Sequence, residues 1–360
     1  MVTHVNRKIL IIGESYMNLE IMADPMKKTG NVTEAGKYSF HPYGKTSAAA
    51  ITTAKMGSAC VLATKLADDM NGERLTKYYK ACGVDSRLFS TEVHTQTGFS
   101  VTTYDGSGTC EHYVSKGANA FFSKKTVDEA FGTFPDFFLV PQDDLSCTDD
   151  PSETSSAPAV TICDNVSDAD EPTEISNVTD PRGRNTLALY ACNKAMEKKI
   201  EMIVDYDSCA SSLPLSEFTG IKALIISDEA LYKMTGFYPS SDDRVTRSLV
   251  SLSSKIRSKY YIVLSGNNTS YVYDGNACEK VLAPSCMDEL AKKSDPKMKE
   301  TYIGAFIAEF LATKNVIRAC KYANIVSLLS KTRDGVLERI PNKAEIEKYI
   351  ADNHIDTKIW

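Results

Sequence analysis

A chain of 360 residues with 42% hydrophobic and 24% charged residues and a formal net charge of −6 has the make-up of a globular protein, of one large domain or two ordinary ones. It excludes a mainly disordered, collagenous or coiled-coil chain, and no apolar run approaches the ~18–20 residues of a membrane span. The 19 glycines amount to about 5%, below the ~7% of average usage, whereas a phosphate-handling α/β enzyme ordinarily needs more.

The first apolar stretch, Ile9 to Ile12, is too short for the ~7–15-residue core of a secretory leader. The ten cysteines are scattered singly without a C-x-x-C pair, which predicts reduced thiols, a cytoplasmic location and no metal site. KILIIG (8–13) reads as a buried strand. Residues 14–40 are of mixed composition, with turns expected at Pro25, Gly30 and Gly36. Small and apolar residues from Thr46 to Met56, closed by Gly57, predict a helix. A strand (60–66) follows, then a helix opened by Asp68 and Asp69 and stopped near Gly83. Residues 97–115 alternate in a strand-like way around Asp105-Gly106, a hairpin signal, and FFLVP (137–141) is a further strand.

Residues 143–181 then hold eleven Asp or Glu and no Lys or Arg; removing those charges from −6 leaves +5 for the rest. With its Ser, Thr and Pro and no sustained period, the segment 143–185 is expected to be an acidic, flexible insertion, either plain surface or a docking segment. The remaining positive charge is diffuse and not interleaved with aromatics, so neither nucleic acid nor a membrane is an expected partner. Beyond the insertion, helix (186–199), strand (200–207), strand (222–228), helix (242–257) and strand (260–266) alternate; a hairpin at Asp274-Gly275 and helices near 300–313, 315–330 and from Asn342 complete the chain. This alternation predicts an α/β domain with a mostly parallel sheet covered on both faces.

Gly44-Lys45-Thr46 is not a phosphate-binding P-loop, because that pattern needs glycine where Ser39 stands. His41, His94 and His112 have no partner at ligand spacing and are expected to be structural or surface residues. What carries information is the order of short motifs. Pro42 to Ser58 (PYGKTSAAAITTAKMGS), then Lys65, Asp68, Asp69 and Gly72, then Gly83-Val84-Asp85, Gly117-Ala118-Asn119, Met234-Thr235-Gly236, Ala323-Asn324, Gly335 and Pro341 run collinearly along nearly the whole chain outside the insertion. In this order they resemble the ribokinase-like (PfkB) carbohydrate kinases.

The resemblance implies a single domain over 1–360, a ribokinase-like three-layer sandwich with a small β lid from parts of 14–40 and 96–116. It implies a kinase that moves the ATP γ-phosphate to a hydroxyl of a sugar or nucleoside with Mg2+, and a homodimer paired through the lid. Matched residue by residue, it puts Asn18, Gly44, Lys45, Ala48 and Asn119 at the substrate, and Ser227, Leu264, Gly266 and Asn324 at the nucleotide. Anchored on Gly304, it places Glu300 at the catalytic Asp and Lys297-Met298-Lys299 at the glycine-rich anion hole. Glu300 would then be the base, with Lys297 and Lys299 beside the transferred phosphoryl.

The departures from the family pattern are coordinated. Asn18 replaces a sugar-binding Asp, and Tyr43, Thr46 and Ala48 replace two glycines and an Asn of the sugar motif. Ser227 and Ala230 replace the two key residues of the N-x-x-E motif, and lysines fill the anion hole, where glycine lets the backbone approach phosphate. Two readings therefore stand side by side: a carbohydrate kinase with degenerate motifs, or a catalytically inactive member acting as ligand sensor or scaffold.

Overall fold

The computed structural model describes residues 7–30, 32–104, 110–142, 145, 186–209, 213–266, 269–291, 299–333, 337 and 339–357, with the side chains of 23–29, 186, 209, 290 and 291 left aside. Of the acidic segment only Leu145 falls within these ranges, and it is buried. The expected flexibility of that segment, Lys297, Gly335 and the turn at Asp105-Gly106 lie outside the described residues.

In chain order the elements are β1 (Lys8–Ile12), β2 (Tyr16–Thr29), β3 (Val32–Tyr43), α1 (Lys45–Lys55), β4 (Ala59–Ala67), α2 (Met70–Ala81), β5 (Asp85–Glu92), β6 (Phe99–Tyr104), β7 (Cys110–Ser115), α3 (Lys124–Phe131) and β8 (Phe137–Leu139). They continue as α4 (Thr186–Glu197), β9 (Glu201–Asp205), α5 (Tyr206–Cys209), β10 (Ile221–Ser227), α6 (Asp228–Thr235), α7 (Asp242–Lys255), β11 (Tyr260–Ser265), β12 (Thr269–Tyr273), β13 (Cys278–Val281), α8 (Asp288–Ala291), α9 (Lys299–Thr313), α10 (Val316–Ser330) and α11 (Lys343–Asp352).

Nine strands form one sheet in the order β13-β12-β11-β10-β9-β8-β1-β4-β5, parallel from β11 to β5 and closed by the antiparallel pair β12 and β13. Alternation along each central strand makes the three layers. Ile9, Ile11, Ile203 and Ile225 face one core together with α1, α9 and α10, while Leu10, Ile12, Val204 and Ile226 face a second core with α3, α4 and α7. The fold is thus the expected three-layer α/β sandwich.

A second sheet, β3-β2-β6-β7, stands apart from the first. Two of the expected turns in 14–40 are not turns. Met22 pairs with Lys37 and Ala23 with Ala35, so Gly36 is the extra residue of a β-bulge. Pro25 lies within β2, in the irregular pairing between Ala23 and Lys28 and beyond Met22, where pairing with β6 ends, so its missing N–H breaks no regular ladder. Gly30 is the turn, at φ 61°. Besides β2 and β3, the strand β5 and the short polar helices α3 and α6 had no strong sequence signal. The starts of the two helices are nonetheless written locally, since Ser123 and Ser227 accept the N-terminal amides of Thr126 and Ala230.

Candidate active site

The parallel strands end at one edge, the place where such sheets bind ligands. Gln142 follows β8, Asp205 ends β9, Ser227 ends β10 and Ser265 ends β11. Helices α1 and α9 start at the same edge. They are locked together at Gly304, where an added Cβ would lie 2.6 Å from both the Ala49 carbonyl oxygen and Thr52 Cβ. The Thr53 hydroxyl donates to the Gly304 carbonyl at 3.2 Å. Lys45 and Glu300 each precede this crossing by four residues, about one helical turn. The helix packing therefore brings the two first turns to one place.

Burial pushes the Glu300 carboxyl above its ordinary range, reinforced by the Asp205 carboxylate; the positive charges of Lys299 and Lys45 and an N–H bond oppose it without winning. Lys299 is not a free charge. Its ammonium contacts the carboxylates of both Asp205 and Asp207. Asp205 also accepts from Gln142 Nε2 at 3.0 Å and from the Ser208 hydroxyl at 2.7 Å. Asp207 accepts from Ser227 twice, from the hydroxyl at 2.7 Å and the backbone N–H at 3.1 Å.

Further along the edge the Ser265 hydroxyl donates to Asp228 at 2.6 Å, and the Gly266 N–H donates to the same carboxyl. Burial still holds Asp228 above the usual carboxylate range. Leu264 is half-buried beside them on β11. Asn324 is buried on α10, where its Oδ1 accepts from Ser270 Oγ at 3.4 Å and its Nδ2 has no hydrogen-bond partner among the described residues.

The substrate-side residues gather under the small sheet. Asn18 is buried, and its Oδ1 accepts from Ser100 at 2.8 Å and Thr102 at 3.2 Å while its Nδ2 faces His41 Nε2 at 3.2 Å. These residues lie on one face because Asn18 is paired in register with both His41 and Ser100. Asn119 clamps the loop after β1: its Oδ1 accepts from Ser15 N at 3.0 Å and its Nδ2 donates to Ser15 O at 2.9 Å. Gly44 caps α1 without a side chain, Lys45 is exposed, and Ala48 packs against the core. The structure thus places Lys45, Lys299 and Glu300 together, and sets Asn18 within a separate network of side chains on the small sheet.

Sequence reasoning missed Gln142, Asp205 and Asp207. The one signal available was an alternating acidic pair, VDYD, at the end of a buried strand. It also missed a buried hydroxyl chain beneath the Pro42–Lys45 loop. Thr64 donates to Ser15 at 2.9 Å, Ser15 bonds Tyr79 OH at 2.8 Å, Tyr79 OH bonds Ser47 at 2.5 Å, and Ser47 donates to the Tyr43 carbonyl at 3.0 Å.

Residues 6–212 match the pfkB family carbohydrate kinases. Among characterised relatives, a ribokinase of Dictyostelium discoideum is 25% identical over 126 residues, 35% of this chain and 40% of the relative. The chain therefore spans about 40% of the length of that relative in the match. By structure, a ribokinase from Thermotoga maritima superposes with a TM-score of 0.68 at 18% identity, covering 95% of this chain and 99% of its own. An Arabidopsis thaliana ribokinase complexed with ribose and ATP gives 0.67 at 13%, covering 95% and 98%. Among the described residues no helix is long and apolar enough to cross a membrane.

Proposed function

Because the chain belongs to the pfkB family of carbohydrate kinases, we propose that it transfers the γ-phosphate of ATP to a hydroxyl of a small sugar-like molecule. The observation that carries this reading is Glu300, a carboxyl with a raised pKa in the first turn of α9, within electrostatic reach of Lys45 in the first turn of α1. A general base works best when its pKa lies near the working pH, and burial moves Glu300 in that direction. In the proposed step Glu300 takes the proton of the acceptor hydroxyl as its oxygen bonds to the γ-phosphorus and the bond to ADP breaks. Asn18, Gly44, Lys45, Ala48 and Asn119 belong to the acceptor side in this reading. Ser227, Leu264, Gly266 and Asn324 belong to the nucleotide side. Lys299, and Lys297 outside the described residues, are assigned to the transferred phosphate in the same reading.

The residues at the end of β9 do not fit a protein-held Mg2+. Asp205 and Asp207 are compensated by Lys299, and among the described residues no three His, Cys, Asp or Glu side chains converge on one point. Magnesium is accordingly assigned to the nucleotide's own phosphates.

A second reading, a ligand-binding member without turnover, is favoured by one observation: the carboxamides of Asn18 and Asn119 are both bonded to the protein itself. One set of measurements separates the two. Turnover of ATP across sugars and nucleosides, lowered at least ~10-fold by Glu300→Gln, supports the kinase; a general base typically contributes ~10²–10⁴-fold. No turnover over the panel and no thermal stabilisation by ATP with Mg2+ removes it.

Pairing of two copies through the small sheet belongs to the same proposal. Phe40, Leu19, Val101 and Tyr113 are in register across its strands on one face, and Phe40 and Tyr113 are exposed. Sedimentation of the full chain, with a Phe40→Lys variant turning dimer to monomer, tests it.

A further inference from the structure

Lys299 is the first residue of the 15-residue helix α9, so its positive charge stands at the end where the backbone dipole is also positive. It is held there from another element. Its ammonium contacts Asp205 Oδ1, at the end of β9, and Asp207 Oδ2, two residues on. The other oxygens of these carboxylates are themselves tied down. Asp205 Oδ2 accepts from Gln142 Nε2 at 3.0 Å and from the Ser208 hydroxyl at 2.7 Å, and Asp207 Oδ1 accepts from the Ser227 hydroxyl at 2.7 Å. Asp205 is 1% exposed. The carboxylates are thus the fixed part of the contact and the long lysine side chain is the part they hold.

Glu300 follows Lys299 in the chain, so whatever fixes Lys299 also fixes the backbone that carries Glu300. Among the described residues three charges act on the Glu300 carboxyl: Asp205 from β9 opposes its ionisation, while Lys299 on its own helix and Lys45 on α1 favour it. The collinear motifs give Asp205 no role. We propose that Asp205 is a positioning residue of the candidate site: with Asp207 it clamps the Lys299 ammonium, fixes the first turn of α9 against the end of β9, and sets a negative charge beside Glu300. An ammonium carries three donors, so two carboxylate contacts do not bar Lys299 from a phosphate. The effect on phosphoryl transfer rests on the reading of Glu300 as the base; the charge relation between Asp205 and Glu300 does not.

The test is Asp205→Asn in the full chain, which removes the charge and keeps an oxygen that accepts hydrogen bonds. Two readouts are followed with pH. In urea unfolding, the gain of Glu300→Gln over its Glu300 parent is measured with and without Asp205→Asn, so that a general loss of stability cancels in the difference. The pH range of that gain moves down by ~1, the low end of what a neighbouring charge does, because the carboxylate opposing ionisation has gone. In ATP turnover the rise of activity with pH moves down likewise. At the same time kcat falls at least ~10-fold with KM little changed, within the ~10²-fold that a misplaced catalytic group costs. Asp205→Glu keeps the charge and leaves both pH ranges in place. An unmoved range or an unchanged kcat in Asp205→Asn would overturn the proposal, as would the same move in Asp205→Glu. Wild type without turnover ends the kinase reading, and the unfolding comparison then decides the role of Asp205 alone. Should Asp205→Asn not fold, Asp207→Asn, at a side chain 25% exposed, takes its place with the same expected directions; no change in either readout overturns the proposal equally.

Discussion

Gly304 and Ala49 set the distance between the two helices that begin at the candidate active site, since a Cβ on Gly304 would come within 2.6 Å of the Ala49 carbonyl oxygen. Two effects of Gly304→Ala oppose each other. Alanine is a better helix former by ~1 kcal/mol. Overpacking at a backbone atom that cannot swing away costs ~1–3 kcal/mol. The clash wins, so the variant is less stable, with a lower denaturant midpoint at unchanged slope. Because Glu300 and Lys45 lie one turn away on the two helices, any turnover falls as well, by more than the loss of folded protein explains.

Asp69 joins the start of α2 to the strand entering the small sheet. Its carboxylate caps Gly72 N at 2.8 Å, accepts from Thr97 N at 2.8 Å, and takes the Thr97 hydroxyl at 2.7 Å. Burial acts to raise its pKa, but the Thr97 and Gly72 donors together hold it below the usual range. A depressed folded pKa means the contribution is present above the unfolded pKa and is lost as pH falls through the folded one. Asp69→Ala is therefore expected to cost ~1–2 kcal/mol near neutrality, as lost caps do. The gap to wild type should close in acid; a gap that is constant with pH in chemical unfolding would refute the assignment.

Tyr79 carries one link of the hydroxyl chain from Thr64 to the Tyr43 carbonyl, with its ring fully buried against Phe89. Tyr79→Phe keeps the ring and removes only the bridge. The Ser15 hydroxyl proton loses its acceptor and Ser47 loses its donor, a cost of ~1–3 kcal/mol for buried polar groups left unmatched. Chemical unfolding measures it. Ser15→Ala alone returns nothing, since Thr64, which donates to Ser15, is then the stranded donor; Ser15→Ala with Thr64→Val removes both hydroxyls and should return part of the loss.

The layers of the fold were legible because the strongest local signals agree with it. The apolar runs of β1, β9, β10 and β11 are buried on both faces, and the small-residue run of α1 fits its close contact with α9. Strands β2 and β3 were not legible. Where they are buried their inner face is polar (Asn18 and His41), and β3 is exposed from Val32 to Phe40, so they lack the apolar alternation that marks an ordinary half-buried strand. At the site, Glu300 was found through its spacing from Gly304. The partners of Lys299 were not, because Asp207 lies 92 residues away and only the sheet order brings β9 against the start of α9. Motif reading likewise treated Lys299 as a substitute for lost glycine; its two carboxylate contacts make the substitution part of a charge arrangement.

Glu300 gives the pH dependence. Its folded pKa lies above the ordinary 4.5 because burial disfavours the charge and Asp205 adds to this. The folded state therefore holds the proton where the unfolded chain has released it. Stability from this group is fully present below the unfolded value and declines as pH rises through the folded one. Glu300→Gln should abolish that decline, so the variant gains on wild type with rising pH in thermal or urea unfolding. Turnover has the opposite slope, because a base must first lose its proton. Wild-type activity should rise over the window in which its stability falls, and Glu300→Gln should lack that rise along with most of the rate. If activity rises with pH in Glu300→Gln as in wild type, another group carries the proton; if only the stability slopes agree, Glu300 is merely a buried carboxyl.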